Sequence, residues 1–226
     1  MCVIVYKPKN IELPSAEILK NCFKNNKDGA GYTFTNKKNV IVKKGYQDFK
    51  EFYSELLKDY KKYNLKEHNL IMHFRIGTSG GLTKEKTQPF KVTDNVKELN
   101  KLYIKNRKTS IVHNGVFSRY TYNTNNSDTQ NYIKDFLYPL LKSGIRNKTE
   151  LIKDTLSYSK LAMLNYKDTV SLYGEFIKDK GIYYSNYSYN NYISNEDTKK
   201  YDFTNHYKKE LQSKIWSYNY GGYWYE

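Results

Sequence analysis

Two rhythms of apolar positions run along this chain. Short runs rich in β-branched and aromatic residues fall at positions 3–6, 32–35, 40–43, 70–75, 109–113, 161–164, 170–176 and 181–184, and each predicts a strand. Between them the spacing lengthens to that of a helix. In "DFKEFYSELLKDY", Phe49, Phe52, Tyr53, Leu56, Leu57 and Tyr60 share one face behind Asp48 and Glu51, a pair that reads as a capping box. A shorter helix is expected after Ser15, with Ile18, Leu19, Cys22 and Phe23 on its apolar side. A third follows Ser127 and Asp128 and carries Tyr132, Ile133, Phe136, Leu137, Leu140 and Leu141, with a bend expected at Pro139. Helices grouped between hairpin-like strand clusters predict an α+β layered domain rather than a doubly wound parallel sheet. Neither a GxGxxG nor a GxxxxGK[ST] loop occurs, which argues against a Rossmann or P-loop nucleotide site.

Composition changes this picture at one end. From about residue 190 the text turns to Asn, Tyr, Lys and Gly and closes on "WSYNYGGYWYE", so the expected division is a folded domain over 1–190 and a Tyr/Asn-rich extension over 191–226. A length of 226 residues suffices for a substantial core. No apolar stretch approaches the roughly 20 residues that span a bilayer, and "CVIVY" is too short for a signal-peptide core, so a cytoplasmic protein without a membrane partner is expected. Cys2 and Cys22 are too few for a disulfide framework and do not form CxxC. His68, His73, His113 and His206 show no HExxH or HxH spacing, and neither a metal nor a cofactor is expected. The net charge of +15 is carried almost wholly by lysine, the arginines being Arg75, Arg107, Arg119 and Arg146. With Asn, Tyr and Ile also abundant, the charge reads as the codon bias of an A/T-rich genome, such as that of a phage, more than as a dedicated nucleic-acid surface. Weak affinity for polyanions would still follow.

Four stretches carry candidate chemistry. The first is Cys2 itself. Once Met1 is removed, an N-terminal cysteine holds a thiol beside an α-amine that titrates near neutrality, so one residue supplies both nucleophile and base. "TSIVHNGV" reads as a strand entering a sharp turn at Asn114–Gly115, which could aim a side-chain amide and a backbone N–H at a developing oxyanion; the plain alternative is a two-residue hairpin. "HFRIGTSGG" sets Arg75 at a strand end before a small-residue loop, where its guanidinium with Thr78 could grip a carboxylate, or simply face solvent. In "NNSDTQ", Asp128 could pair with a substrate ammonium or act as a helix N-cap, a role that Ser127 could also fill.

Their order gives them company. Cys2, Asp28–Gly29–Ala30–Gly31, His73–Phe74–Arg75 with Thr78, His113–Asn114–Gly115 and Ser127–Asp128–Thr129 resemble the successive motifs of the class II glutamine amidotransferases, which are N-terminal nucleophile hydrolases. The resemblance runs from residue 2 to about residue 190. It implies a four-layer αββα sandwich, with Cys2 attacking a glutamine side-chain amide and Asn114 and Gly115 forming the oxyanion hole. Arg75, Thr78, His113 and Asp128 are then the substrate-binding residues, Arg75 on the α-carboxylate and Asp128 on the α-ammonium. The chain departs from the family's usual text at Val3, at "SGG" after Thr78 and at Gln130. Each departure bears on the substrate rather than on a reacting group. Nothing beyond residue 190 is large enough to use the ammonia, so the expected protein is a stand-alone glutaminase or one that docks on a separate ammonia-using enzyme. The alternatives are a hydrolase of a related γ-glutamyl or other amide and a catalytically idle binding scaffold.

Overall fold

The computed structural model describes residues 2–77, 81–123 and 125–190. The chain divides into two units, Met1–Tyr189 and Asn190–Glu226, and the architecture below is that of the first. Its strands are β1 (Val3–Lys7), β2 (Ala30–Asn36), β3 (Asn39–Tyr46), β4 (Leu70–Phe74), β5 (Phe90–Lys91), β6 (Tyr103–Asn106), β7 (Ser110–Asn114), β8 (Lys160–Leu164), β9 (Val170–Tyr173), β10 (Ile177–Asp179) and β11 (Ile182–Tyr184). They form a seven-stranded sheet in the order β10-β11-β1-β4-β2-β3-β6 and a four-stranded sheet in the order β5-β7-β8-β9. All neighbouring strands are antiparallel. This is the α+β class that the periodicities predict.

Helices α1 (Ala16–Asn25) and α2 (Phe49–Lys62) start where the sequence places caps. The Ser15 hydroxyl accepts the Ile18 N–H, and the Asp48 carboxylate accepts that of Glu51. Their apolar faces pack on one side of the seven-stranded sheet, where Leu19, Phe52 and Leu56 meet Val3, Val5, Met72 and Phe74. Complete burial of a Leu or Phe side chain contributes roughly 1.5–3 kcal/mol each. Alternation sends the intervening residues the other way. Ile4 and Ile71 meet Val112, Ala162 and Leu164 of the second sheet. The Thr33 and Ser110 hydroxyls, 2.8 Å apart, join the two sheets in the same layer. On the outer side of the second sheet lie α4 (Asp128–Tyr132), α5 (Tyr138–Lys142) and α6 (Lys148–Leu156), which bury Tyr132, Leu140 and Ile152 against Ile111, Leu161 and Met163.

The structure revises several sequence-based expectations. The strand expected over 170–176 stops at Tyr173, where Gly174 adopts φ +84, and a separate strand, β10, begins at Ile177. The helix expected after Ser127 is not uniformly α-helical up to Pro139. A π-helical turn, Ile133–Leu137, precedes it, absorbing the missing N–H and the crowding that proline imposes on the turn before it. Helix α6, the short helix α3 (Val96–Asn100) and the short strands β5 and β6 were not predicted by periodicity. No helix among the described residues is long and apolar enough to cross a membrane.

Candidate functional site

Strand parity decides what faces the space between the sheets. On β4, Ile71 points there, so His73 and then Arg75 follow it. On β1, Ile4 does, and Cys2 shares its parity one residue before the strand begins. On β7 the inward residue is Val112, and Asn114 comes next in that series, while His113 turns with Ile111 towards the outer helices. Three residues distant in sequence thus converge at one end of the sheet pair. Val3 pairs with Phe74, which brings Cys2 level with Arg75 just past the ladder.

The thiol sits against the backbone that follows Arg75. Cys2 Sγ donates to the Ile76 carbonyl and accepts the Ile76 N–H, both at 3.4 Å. Burial pushes its pKa up, opposed by the Ile76 N–H and by the Arg75 guanidinium. The "DGAG" segment fixes this loop. Asp28 Oδ2 accepts the Gly77 N–H at 2.8 Å, the Asp28 N–H donates to the Arg75 carbonyl at 2.9 Å, and the Arg75 N–H donates to the Gly29 carbonyl at 2.8 Å. Gly31 lets the 87–89 segment close on β2, since a Cβ there would stand 2.3 Å from the Gln88 carbonyl oxygen. Arg75 is buried, and its Nη2 donates to the Gly81 carbonyl at 2.7 Å. Burial lowers its pKa, while Cys2, Asp28 and Asp128, all within electrostatic reach, act to raise it.

Asp128 is released from the bland role. Ser127 is the N-cap of α4, in a complete capping box with Gln130, and the Asp128 carboxylate instead accepts the Phe117 N–H at 2.7 Å. Gln130 also explains its own departure from the family text. Its Oε1 accepts the Ser127 N–H at 2.9 Å while its Nε2 donates to Asn100 Oδ1 at 2.7 Å, and a carboxylate could only accept.

Asn114–Gly115 is not a hairpin, because the partners of β7 are β5 and β8 and the chain leaves Gly115 towards Phe117. Gly115 has φ +147, and a Cβ on it would lie 2.1 Å from Ser159 Oγ and 2.9 Å from Ser159 Cα. Only glycine fits there. Asn114 is buried, and its Nδ2 donates to Ser185 Oγ at 2.9 Å. Ser185 Oγ also accepts the Ile4 N–H at 2.8 Å, so one hydroxyl joins the nucleophile's strand to the turn. Beside it, Asn186 Nδ2 donates to the Cys2 carbonyl at 2.7 Å.

His113 stands apart from this cluster. Its ring stacks on Phe117 at 3.8 Å between centroids, and its Nδ1 lies 3.0 Å from the Thr129 hydroxyl. Burial depresses its pKa to about 3. What reaches the sheet interface is its backbone. The His113 carbonyl accepts from His73 Nε2 at 3.1 Å and from Gln88 Nε2 at 3.2 Å, and its N–H donates to Gln88 Oε1 at 2.6 Å. A carbonyl can only accept, so His73 carries its proton on Nε2. Burial, with lesser contributions from Arg75 and His113, lowers the His73 pKa to about 3.

Of the residues singled out from sequence, Cys2, Arg75, Asn114, Gly115 and Asp128 come together, His113 supports the strand that carries Asn114, and Thr78 lies outside the described residues. Sequence reading did not single out Gln88, Ser185 and Asn186 as site residues. It also missed Lys86, a buried amine that donates to the Asn125 carbonyl and whose pKa is lowered by burial and by Arg75.

No family profile matches the chain. Nor does any curated protein. Solved structures are similar to it, among them the following two. The glutamine phosphoribosylpyrophosphate (PRPP) amidotransferase from B. subtilis, complexed with ADP and GMP, aligns at 18% identity over 81% of this chain and 41% of its own, with a TM-score of 0.49. A structure described as the allosteric regulatory enzyme of purine biosynthesis aligns at 18% identity over 74% of this chain and 36% of its own, with a TM-score of 0.44. The chain therefore spans less than half the length of either.

Proposed function

We propose that the chain is an amidohydrolase that cleaves the side-chain amide of glutamine through a thioester on Cys2, in a four-layer αββα framework of the N-terminal nucleophile type. One observation supports the reading: Cys2, Arg75, Asn114, Gly115 and Asp128, drawn from four separate segments, meet at one end of the sheet pair. Burial keeps the thiol protonated, so attack needs a base in the same step. The α-amine of Cys2, freed by removal of Met1, is that base. Sγ bonds to the amide carbon, and the oxyanion is met by the Asn114 amide and the Gly115 N–H. The C–N bond then breaks, and ammonia leaves with the transferred proton. Water attacks the thioester and releases glutamate and the thiol.

Arg75 takes the α-carboxylate with help from Thr78, and Asp128 takes the α-ammonium, so that a free amino acid rather than a peptide is selected. His113 acts in substrate binding only through the strand it steadies. The ammonia is either released or passed to a separate acceptor enzyme, and the lysine-rich surface gives weak affinity for polyanions in the cytoplasm, in keeping with a phage-like composition. Glutamate release from free glutamine, lost in Cys2→Ala with the fold intact by circular dichroism, is the test. Equal release by wild type and Cys2→Ala would sink the thioester.

A further inference from the structure

The segment that leaves β11 supplies none of the residues assigned above to the reaction, yet it touches both halves of the candidate site. Ser185 is completely buried, and every polar atom it has is engaged. Its N–H donates to the Ile4 carbonyl at 3.0 Å, and its carbonyl accepts from Lys160 Nζ at 2.5 Å. Its hydroxyl oxygen has two acceptor positions, and the Ile4 N–H and the Asn114 amide occupy them. Asn186 follows, with Nδ2 on the Cys2 carbonyl and Oδ1 accepting the Ser188 N–H at 3.0 Å. Two consecutive residues thus hold Cys2, Ile4 and Asn114 in one frame.

The Asn114 amide depends on this frame more than any other group. Its Oδ1 is buried and has no hydrogen-bond partner among the described residues. Ser185 Oγ is therefore the sole hydrogen-bond partner of the Asn114 side chain among them. An amide nitrogen has two hydrogens in the plane of the group. With one fixed on Ser185, the direction of the other is fixed as well.

We propose that Ser185 is a positioning residue that orients the Asn114 amide for the oxyanion, while Asn186 holds the Cys2 backbone in register with it. This rests on the amidohydrolase reading above. Because Ser185 touches neither the α-carboxylate nor the α-ammonium partner, its loss acts on the transition state and leaves ground-state binding alone.

The experiment compares wild type with Ser185→Ala in two readouts. Glutamine hydrolysis is measured per thiol titrated with a diazo-ketone analogue of glutamine, so that misfolded protein does not count. In parallel, protein carrying 15N-asparagine is examined by NMR, with the Asn114 side-chain pair assigned by its disappearance in Asn114→Asp. The expected result is a kcat at least about tenfold lower with KM within about twofold, since a donor displaced from the oxyanion loses most of its effect. The Asn114 amide pair should shift and exchange with solvent at least about tenfold faster, because no other partner orients it. An unmoved amide pair, an unchanged kcat, or a loss confined to KM would overturn the proposal. If Ser185→Ala does not fold, Ser185→Cys, similar in size and a weaker acceptor, is read by the same criteria. Should wild type release no glutamate while the amide pair still responds, the amidohydrolase reading fails and the positioning of Asn114 by Ser185 stands.

Discussion

Acid should weaken this protein through two histidines before its carboxylates contribute. His73 and His113 are fully buried, and both have pKa values lowered from 6.5 to about 3 by burial. In the folded state both are neutral throughout the range from pH 7 to pH 5, whereas the unfolded chain takes up a proton on each as pH falls through about 6.5. The unfolded state then binds about two more protons, so stability falls with falling pH, at about 1.4 kcal/mol per pH unit for each histidine. Integrated down to pH 5, the two together cost about 4 kcal/mol, a large share of the 5–15 kcal/mol typical of a domain. Stopping at pH 5 keeps the titration above the range of carboxylates such as Glu55 and Glu98, whose pKa values their lysine partners lower. Urea denaturation followed by circular dichroism at half-unit steps from pH 7.5 to 5 gives the slope. His73→Gln retains an N–H donor for the His113 carbonyl and removes one titration, so it should remove about 1.4 kcal/mol per pH unit from that slope. An imidazole signal of His73 or His113 titrating near pH 6.5 in the folded protein would refute the reasoning, as would a slope that His73→Gln leaves unchanged.

Other substitutions separate the parts of the site. Gly115→Ala puts a Cβ into Ser159 at a φ that only glycine adopts freely, and should lower kcat about 100-fold or more with a stability loss of order 1–3 kcal/mol; a steady-state assay on folded protein showing normal kcat would contradict the placement of the turn. Arg75→Lys should raise KM about tenfold or more with a smaller effect on kcat, because one ammonium cannot replace a planar fork, and an unaltered KM would remove Arg75 from the carboxylate. Thr129→Val keeps the volume but leaves His113 Nδ1 without its hydroxyl partner, so a urea midpoint corresponding to a loss of about 1–3 kcal/mol is expected. Unchanged stability would mean that this hydrogen bond is not formed.

The sequence made the strands and the larger helices legible for a physical reason: burial sets a repeating apolar pattern, on one face of a helix and on one or both faces of a strand. The helix over Phe49–Lys62 keeps Phe52 and Leu56 at helical spacing behind an acidic cap, and β1 and β4 are largely apolar because both of their faces are covered. Shorter elements gave no such signal. Two-residue β5 and five-residue α3 are held by their surroundings, and the end of β9 depends on the backbone of Gly174. In the site, the residues to which the proposed mechanism gives a reacting group or a substrate charge stand in recognisable order, since few residue types can serve. Ser185, Asn186 and Gln88 act through hydrogen bonds across more than twenty residues of separation, and nothing local in the text marks such contacts. Parity, read from the burial of Ile111 and Val112, is what separates Asn114 from His113.

The central claim is that Cys2 is a glutamine-reading nucleophile, and intact mass spectrometry before and after a diazo-ketone analogue of glutamine tests it most directly. That reagent alkylates an activated thiol only from within the glutamine pocket. The account predicts a protein lacking the mass of Met1 that gains one stoichiometric adduct on Cys2, with Cys22, buried in the core and its thiol pKa pushed up, left unmodified. A protein without Met1 that gains no adduct, or one that gains it in Cys2→Ala as well, would contradict the account.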